Sequence, residues 1–430
     1  MPLIRLKRRI PLDAITRRAL RGMATLASGA MASKLITLAS LPLITRLYAP
    51  EHLGALSVFA GFVMLLAPLV SLQYDRGLPV AGRDAAAINL LALTMALIVA
   101  FSILLAAVLA VGAAPLLRLL SMEMLVPFWW MLPLGTFVYS SYLTLQHWAT
   151  RRRSYRQMAL ASVAQSAAGN AGKLTLVFVL PAPLAILVGH VVALGGGAVI
   201  LYGQFRSEFR RLGRHATLPR MRAMAKRHRS FPTFRLPSHL TLLLASQLPV
   251  FFIAGFYGAA TAGQFGLAAM ALSMPINLIG RKMGRAFFGE TAELGSGDPE
   301  ALRRAVRDVT RLLGSVGLVL TAFLVLASPS LFPFVFGAQW AEAGRFAAVL
   351  AIYLTAQFVA VPVMNVLTVV GREDLYLKVN LQRLGLALAV FLGTYLLDLD
   401  AFTAVLAYSL VLAAHYGITF MRLLGALRNG

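Results

Sequence analysis

The sequence has no cysteine, which rules out a disulfide framework and any metal centre built on thiolates. Its seven histidines are scattered without ligand spacing, so no metal site is read from them. Charge is also scarce: Asp, Glu, Lys and Arg form 13% of the 430 residues, against 59% hydrophobic side chains. That apolar share exceeds what an ordinary globular domain carries, and a water-soluble fold is excluded. The apolar runs lack the alternation of barrel strands, and a helix satisfies its own backbone groups within lipid, so the class is an all-α membrane protein. Residues 1–22 are basic, with no apolar core for a cleavable signal peptide, and the first span is expected to act as the insertion signal.

What is abundant is the long apolar run. Stretches of roughly 18–25 residues, each able to cross a hydrocarbon core of about 30 Å as a helix, are read near 23–45, 53–74, 86–112, 124–149, 158–180, 184–204, 236–256, 262–280, 312–333, 344–370, 379–397 and 401–421. With the N-terminus inside, 34 of the 40 Lys and Arg residues fall in inner segments. Arg46, Arg118 and Arg345 fall in outer loops, and Lys34, Lys173 and Arg383 fall within spans. Such asymmetry predicts about twelve spans with both termini cytoplasmic. The net charge of +24 is thereby assigned to orientation and to attraction for anionic membrane lipids, and no nucleic acid is needed as a partner.

The segment 205–235 carries ten basic residues and two prolines and divides the spans six and six. The expected organisation is a basic N-terminus (1–22), a six-helix bundle (23–204), a cytoplasmic linker (205–235), a second six-helix bundle (236–421) and a tail (422–430). Internal repetition supports the division. Leu41-Pro42 leads to Tyr48 and Gly54 in the first half, and Leu248-Pro249 leads to Tyr257 and Gly263 in the second, with the same Tyr-to-Gly spacing of six. Repeated halves in secondary transporters place the substrate site at their interface.

The stretch Pro42-Leu43-Ile44-Thr45-Arg46-Leu47-Tyr48-Ala49-Pro50-Glu51-His52-Leu53-Gly54, closing at Tyr74-Asp75-Arg76, resembles a signature of the Wzx-like oligosaccharide flippases of the multidrug/oligosaccharidyl-lipid/polysaccharide exporter superfamily. Gly263-Gln264-Phe265-Gly266 and Phe336-Gly337-Ala338-Gln339-Trp340 are similar to further stretches of that family. Gly77 and Leu78 depart from it where an apolar pair is expected. The resemblance implies two six-helix bundles around a central cavity that opens to each side in turn. It also implies a polyprenyl-pyrophosphate-linked oligosaccharide as substrate, a bacterial inner-membrane location, and a polysaccharide polymerase with chain-length machinery as partners.

Cations within the spans are the candidate substrate-binding residues, because a charge deep in a bilayer faces a cavity or a partner and ammonium and guanidinium groups pair with phosphate oxygens. Lys34 lies roughly 16 Å from the inner end of the first span at 1.5 Å per residue. Lys173 shares a face with Gln165 and Gly169, flanked by Ser162, Ser166 and Asn170, which reads as a wet or helix-packing face. Arg383 is close enough to the inner end of its span to snorkel. Arg281, Lys282 and Arg285 are inner anchors or receivers of a head group, and Arg46 joins the set at the outer mouth. Asp75, the carboxylate nearest the membrane, and Arg76 are read as a local ion pair or as a coupling and gating pair. Gln247, Gln357 and Asn365 read as interhelical bonds, and Trp129, Trp130, Trp148 and Trp340 as interfacial belts.

Glu51, Glu123 and Glu342 form no evident pair and the outer loops are short, so no catalytic residue, metal or cofactor is assigned and no enzyme is expected. A polysaccharide polymerase would need such a loop or acid. A drug or cation exporter of the same superfamily remains the alternative, for which acidic groups within the spans are expected.

Overall fold

The computed structural model describes residues 12–120, 122–294, 299–364 and 373–426. Every element among them is helical: α1 Leu12–Leu47, α2 Pro50–Ser71, α3 Asp84–Leu119, α4 Met131–Arg151, α5 Tyr155–Leu176, α6 Ala182–Gly195, α7 Gly197–Gly213, α8 Leu218–Arg227, α9 Leu236–Leu294, α10 Pro299–Phe336, α11 Ala341–Met364, α12 Glu373–Leu396 and α13 Ala401–Ala426. Short turns of tighter helix occupy Tyr74–Val80 and Glu123–Phe128.

Local chemistry sets the ends of the elements that matter for the site. Pro50 begins α2, where a missing N–H costs nothing, and the backbone N–H of Ala49 donates to His52 Nδ1 at 3.2 Å. The chain leaves α2 through Leu72 and Gln73, both left-handed at φ 47° and 58°, a conformation costly for residues with a side chain. Helix α9 breaks at Gly258, with φ 87° and ψ 172°, values that suit glycine alone.

Nine helices among the described residues are long and apolar enough to cross a membrane. Helices α4 and α5 are not among them because their faces carry Thr, Ser, Gln and Asn, and the Gly258 break divides a further one into two crossing segments. Twelve crossing segments result, in register with the twelve apolar runs. The break at Gly258 falls between the seventh and eighth runs, at the position repeated by Tyr48-Ala49 between α1 and α2.

Helices α1 to α7 pack mainly among themselves, α1 on α5 and α5 on α6, while α11 gathers α9, α10 and α13. The long contact of α2 with α9 joins the two sets. One apolar core runs through both, from Leu41 and Phe59 to Phe346 and Phe391. A second lies around Leu90, Trp148 and Phe205, at the end of the first set that the charge asymmetry predicts to face the cytoplasm and that is called inner below.

Two expectations change. The segment 205–235 is mostly helix, because α7 continues to Gly213 and α8 docks on the inner end of α3. Trp148 and Trp340 are fully buried and not belt residues: Trp148 packs on Phe209 and under Arg152, and the Trp340 indole donates to the Thr45 carbonyl at 2.8 Å. Trp130, in contrast, is exposed.

Candidate functional site

A polar ladder fixes α1 against α5. Ser166 Oγ donates to the Ser33 carbonyl at 2.9 Å and lies 3.0 Å from Thr37 Oγ1, and the Tyr48 hydroxyl donates to the Lys173 carbonyl at 2.7 Å. Small residues then bring α6 close to the other face of α5. A Cβ at Gly169 would strike Ala193, and one at Gly189 would strike Lys173 Cγ. The predicted face of Gln165, Gly169 and Lys173 is therefore a helix-packing face. Gln165 Oε1 accepts from the Gly197 N–H at 3.1 Å.

At the outer end of that face Lys173 is buried. It borders a small gap shared by Thr37, Ser57 and Asn170 of the first set and Gly266 and Met270 of α9. Among the described residues no carboxylate pairs with it. Burying an ammonium without a counter-ion is costly, so this position between the two sets suits an anionic visitor. Lys34 is exposed. It precedes the gap-lining Thr37 and Leu41 by three and seven residues, which places it on the same side of α1, roughly 10 Å further in than Leu41 at 1.5 Å per residue.

The gap is sealed on its outer side, where the three stretches that carry the family resemblance meet. Gly54 of α2 and Gly263 of α9 cross in near-twofold fashion: a Cβ at Gly54 would collide with the Ala259 carbonyl, and one at Gly263 with the Pro50 carbonyl. Gln339 Nε2 donates to the Thr45 carbonyl at 2.7 Å beside the Trp340 indole, and Gln264 bridges the Gln339 carbonyl and the Ala343 N–H at 2.7 and 2.9 Å. Only glycine spacing was visible in the sequence; nothing there joined Thr45 to Gln339 and Trp340.

Asp75 lies at the inner end, in a separate cavity of about 220 Å³ that Arg76, Tyr139 and His239 also line. Its partner is His147, whose Nδ1 stands 3.1 Å from Oδ2, and not Arg76, which is exposed. The contact has the distance of an ion pair without the alignment of a hydrogen bond, and Oδ1 is buried without a hydrogen-bond partner. Burial pushes the carboxyl upward, but His147, Arg76 and Ser71 outweigh it and hold the pKa below the ordinary carboxylate range. A depressed native pKa stabilises the fold above the unfolded value of about 3.9, and that contribution is lost as pH falls through the native pKa. Wild-type thermal stability is thus expected to drop below about pH 4. Asp75→Asn should flatten that acid limb and lower stability at pH 7, as read by melting curves across pH.

Of the remaining predicted cations, Arg383 and Arg46 do not join Lys173. Arg383 is half-buried in the second set, with Nη1 3.3 Å from the Tyr416 hydroxyl, which also accepts from Gln357. Tyr353 stacks on Tyr416 and meets Tyr408 edge-on, so Arg383 is held by phenols and does not snorkel. Arg46 is exposed at the outer end of α1. Arg281, Lys282 and Arg285 lie on a stretch of α9 whose side chains are outside those described, and Asn365 is outside the described residues.

This architecture is that of a multi-pass membrane protein whose fold is shared with solved membrane transporters. An inward-facing multidrug resistance MATE family transporter superposes with a TM-score of 0.68 at 15% identity, over 94% of this chain and 98% of that one. The lipid II flippase MurJ in an inward closed conformation superposes with a TM-score of 0.67 at 11% identity, over 94% and 87%. Within that fold the chain belongs to the polysaccharide biosynthesis protein family, whose sequence model matches residues 43–345, in keeping with its Wzx-like signature. The teichuronic acid biosynthesis protein TuaB of Bacillus subtilis (strain 168) is 27% identical over 199 residues, 46% of this chain and 40% of that protein. The aligned region thus spans less than half of that relative's length.

Proposed function

We propose that this protein carries polyprenyl-pyrophosphate-linked oligosaccharide from the cytoplasmic to the outer leaflet of a bacterial inner membrane, by alternating access between bundles 23–204 and 236–421, for surface polysaccharide assembly. The observation that carries the reading is Lys173, a buried cation without a carboxylate partner among the described residues, at the gap where α1, α2, α5 and α9 meet. A pyrophosphate meets its charge, and the exposed Lys34 provides an earlier station on the same side of α1. The polyprenyl tail stays in lipid while the head group moves between the bundles. Both termini face the cytoplasm because the basic residues concentrate there.

Support comes from the family to which the chain belongs and from the relatives named for teichuronic acid biosynthesis and for lipid II flipping. Asp75 and Arg76 serve as the inner coupling and gating pair, with the Asp75 charge controlling the cavity that separates α2 from the first turns of α9. An organic cation fits the gap poorly, since its charged lining residue is a lysine.

The test is reconstitution of the full chain in vesicles loaded with a fluorescent polyprenyl-pyrophosphate glycan, read by a membrane-impermeant quencher. Wild type is expected to equilibrate the glycan between leaflets. Export of cationic dyes without glycan movement would support the drug-exporter alternative and contradict this reading.

A further inference from the structure

The inner end of the first set carries a second charged cavity, remote from the Lys173 gap. Helix α8 packs on α3, with Met224 and Ala225 against the inner core, and the turn leading into it is tied to α3 by Asn89: Nδ2 donates to the His215 carbonyl at 2.9 Å and Oδ1 accepts from the Thr217 N–H at 3.0 Å. The Tyr74 hydroxyl adds a contact to the Ala225 carbonyl at 3.3 Å. Between α8 and the start of α3 this leaves a cavity of about 540 Å³, with Arg83, Arg220, Arg227 and His228 on its walls and no acidic residue among its lining. The neighbouring carboxylate, Asp84, is taken up by Arg151 and Arg152, each at 2.9 Å.

Directly beside it runs a groove of about 530 Å³ between α3, α4 and α7, lined by Leu91, Met95, Leu145, Val199 and Tyr202 and presenting only apolar surface. The two share a thin wall. Ile88 and Ala216 face the groove, whereas Asn89, next to Ile88, lines the basic cavity and binds Thr217, next to Ala216. From Ile88 to Met95 the groove rises roughly 10 Å at 1.5 Å per residue, so it enters the hydrocarbon from the basic end. Val199 is 77% and Tyr202 53% exposed, so the groove opens sideways. Arg206, four residues after Tyr202 and on the same face of α7, is exposed beside it.

Three arginines and a histidine above an apolar slot complement a phosphate head joined to a hydrocarbon chain, and basic pockets at the cytoplasmic ends of membrane helices are fitted to anionic lipid heads. The geometry points to a binding site for an anionic glycerophospholipid of the inner leaflet, its phosphate among Arg83, Arg220 and Arg227 and one acyl chain in the groove. A lipid seated there ties α8 to α3 and α7, so it anchors the segment that joins the two bundles. The inner-leaflet assignment rests on the orientation proposed above; binding itself does not depend on the transport reading.

Delipidated full-length protein in detergent should bind phosphatidylglycerol, seen as one retained lipid by native mass spectrometry, and phosphatidylcholine much more weakly. Each cation near an anionic lipid surface contributes enough that R220Q/R227Q should weaken phosphatidylglycerol binding at least about tenfold. Ala92→Trp, which fills the groove and leaves the arginines intact, should also weaken it. Lys173→Met should leave it unchanged, whether or not the protein moves glycan. Equal binding of phosphatidylcholine, or phosphatidylglycerol binding indifferent to both kinds of variant, overturns the proposal. So does stronger binding of polyprenyl pyrophosphate, which would make the site a station for cargo, or binding of inorganic phosphate alone with no response to Ala92→Trp.

Discussion

Lys173→Met is expected to reduce glycan translocation roughly tenfold to hundredfold while leaving the melting temperature unchanged or higher. The two effects separate because they have different origins. In the resting protein the ammonium is buried without a carboxylate partner among the described residues, and replacing an uncompensated buried charge by an apolar side chain of similar length removes a desolvation penalty. With the pyrophosphate in place, the same substitution removes a charge-assisted contact of roughly 1.5–3 kcal/mol, which sets the range of the loss. Gly189→Ala tests the packing that places the lysine without touching its charge, because a Cβ at 189 meets the Lys173 stem and the α5 backbone at Lys173 and Gly169. It should slow translocation too. A Lys173→Met protein that melts early and transports normally would show that the lysine is structural.

Gly54→Ala should shift the protein from the outward-sealed state toward the outward-open one. The crossing of Gly54 with Gly263 has no room for a Cβ against the Ala259 carbonyl, and a crossing that parts when the outer mouth opens imposes no such limit on the open state. Overpacking costs typically 1–3 kcal/mol, so the ratio of the two states should change roughly 5- to 150-fold, with slower translocation because re-sealing becomes the unfavourable step. The chain has no cysteine, so a Thr45→Cys reporter gives a clean background. Thr45 is fully buried in the sealed mouth, and only its carbonyl is used by Gln339 and Trp340. Labelling of Cys at 45 by an impermeant thiol reagent should rise in Gly54→Ala. It should not rise in Gly203→Ala, where a Cβ meets open space.

The legible parts of this molecule were those written in local periodicity and charge. Twelve apolar runs and the concentration of Lys and Arg in alternate loops define the crossings, and the Tyr48-to-Gly54 and Tyr257-to-Gly263 spacing foreshadowed a break that the structure places at Gly258. Helix α8 was not legible, since a segment dense in arginine reads as linker until its packing on α3 and the bonds of Asn89 are seen. Nor was the division of the cations. Depth along a helix follows from residue counting, but which neighbour a side chain meets depends on helix rotation and packing, so Lys173 reaches the gap between the bundles while Arg383 turns to Tyr416 within one of them. Trp340 misled for a related reason, because an aromatic residue near a span end suits an interfacial belt and a buried seal equally until its indole is seen bonded to Thr45. Asp75 was recognised by its position, yet its partner His147 comes from a different helix.

A lysine that holds the charge of the cargo must meet its phosphate head as the glycan crosses. A polyprenyl-pyrophosphate glycan with a photoreactive group beside the phosphates, crosslinked to the reconstituted protein and mapped by peptide mass spectrometry, tests it most directly. Adducts are expected at Thr37, Leu41 and Met270 around the gap, largely lost in Lys173→Met. Adducts confined to the Arg383 and Tyr416 cluster, or unchanged by Lys173→Met, would contradict it.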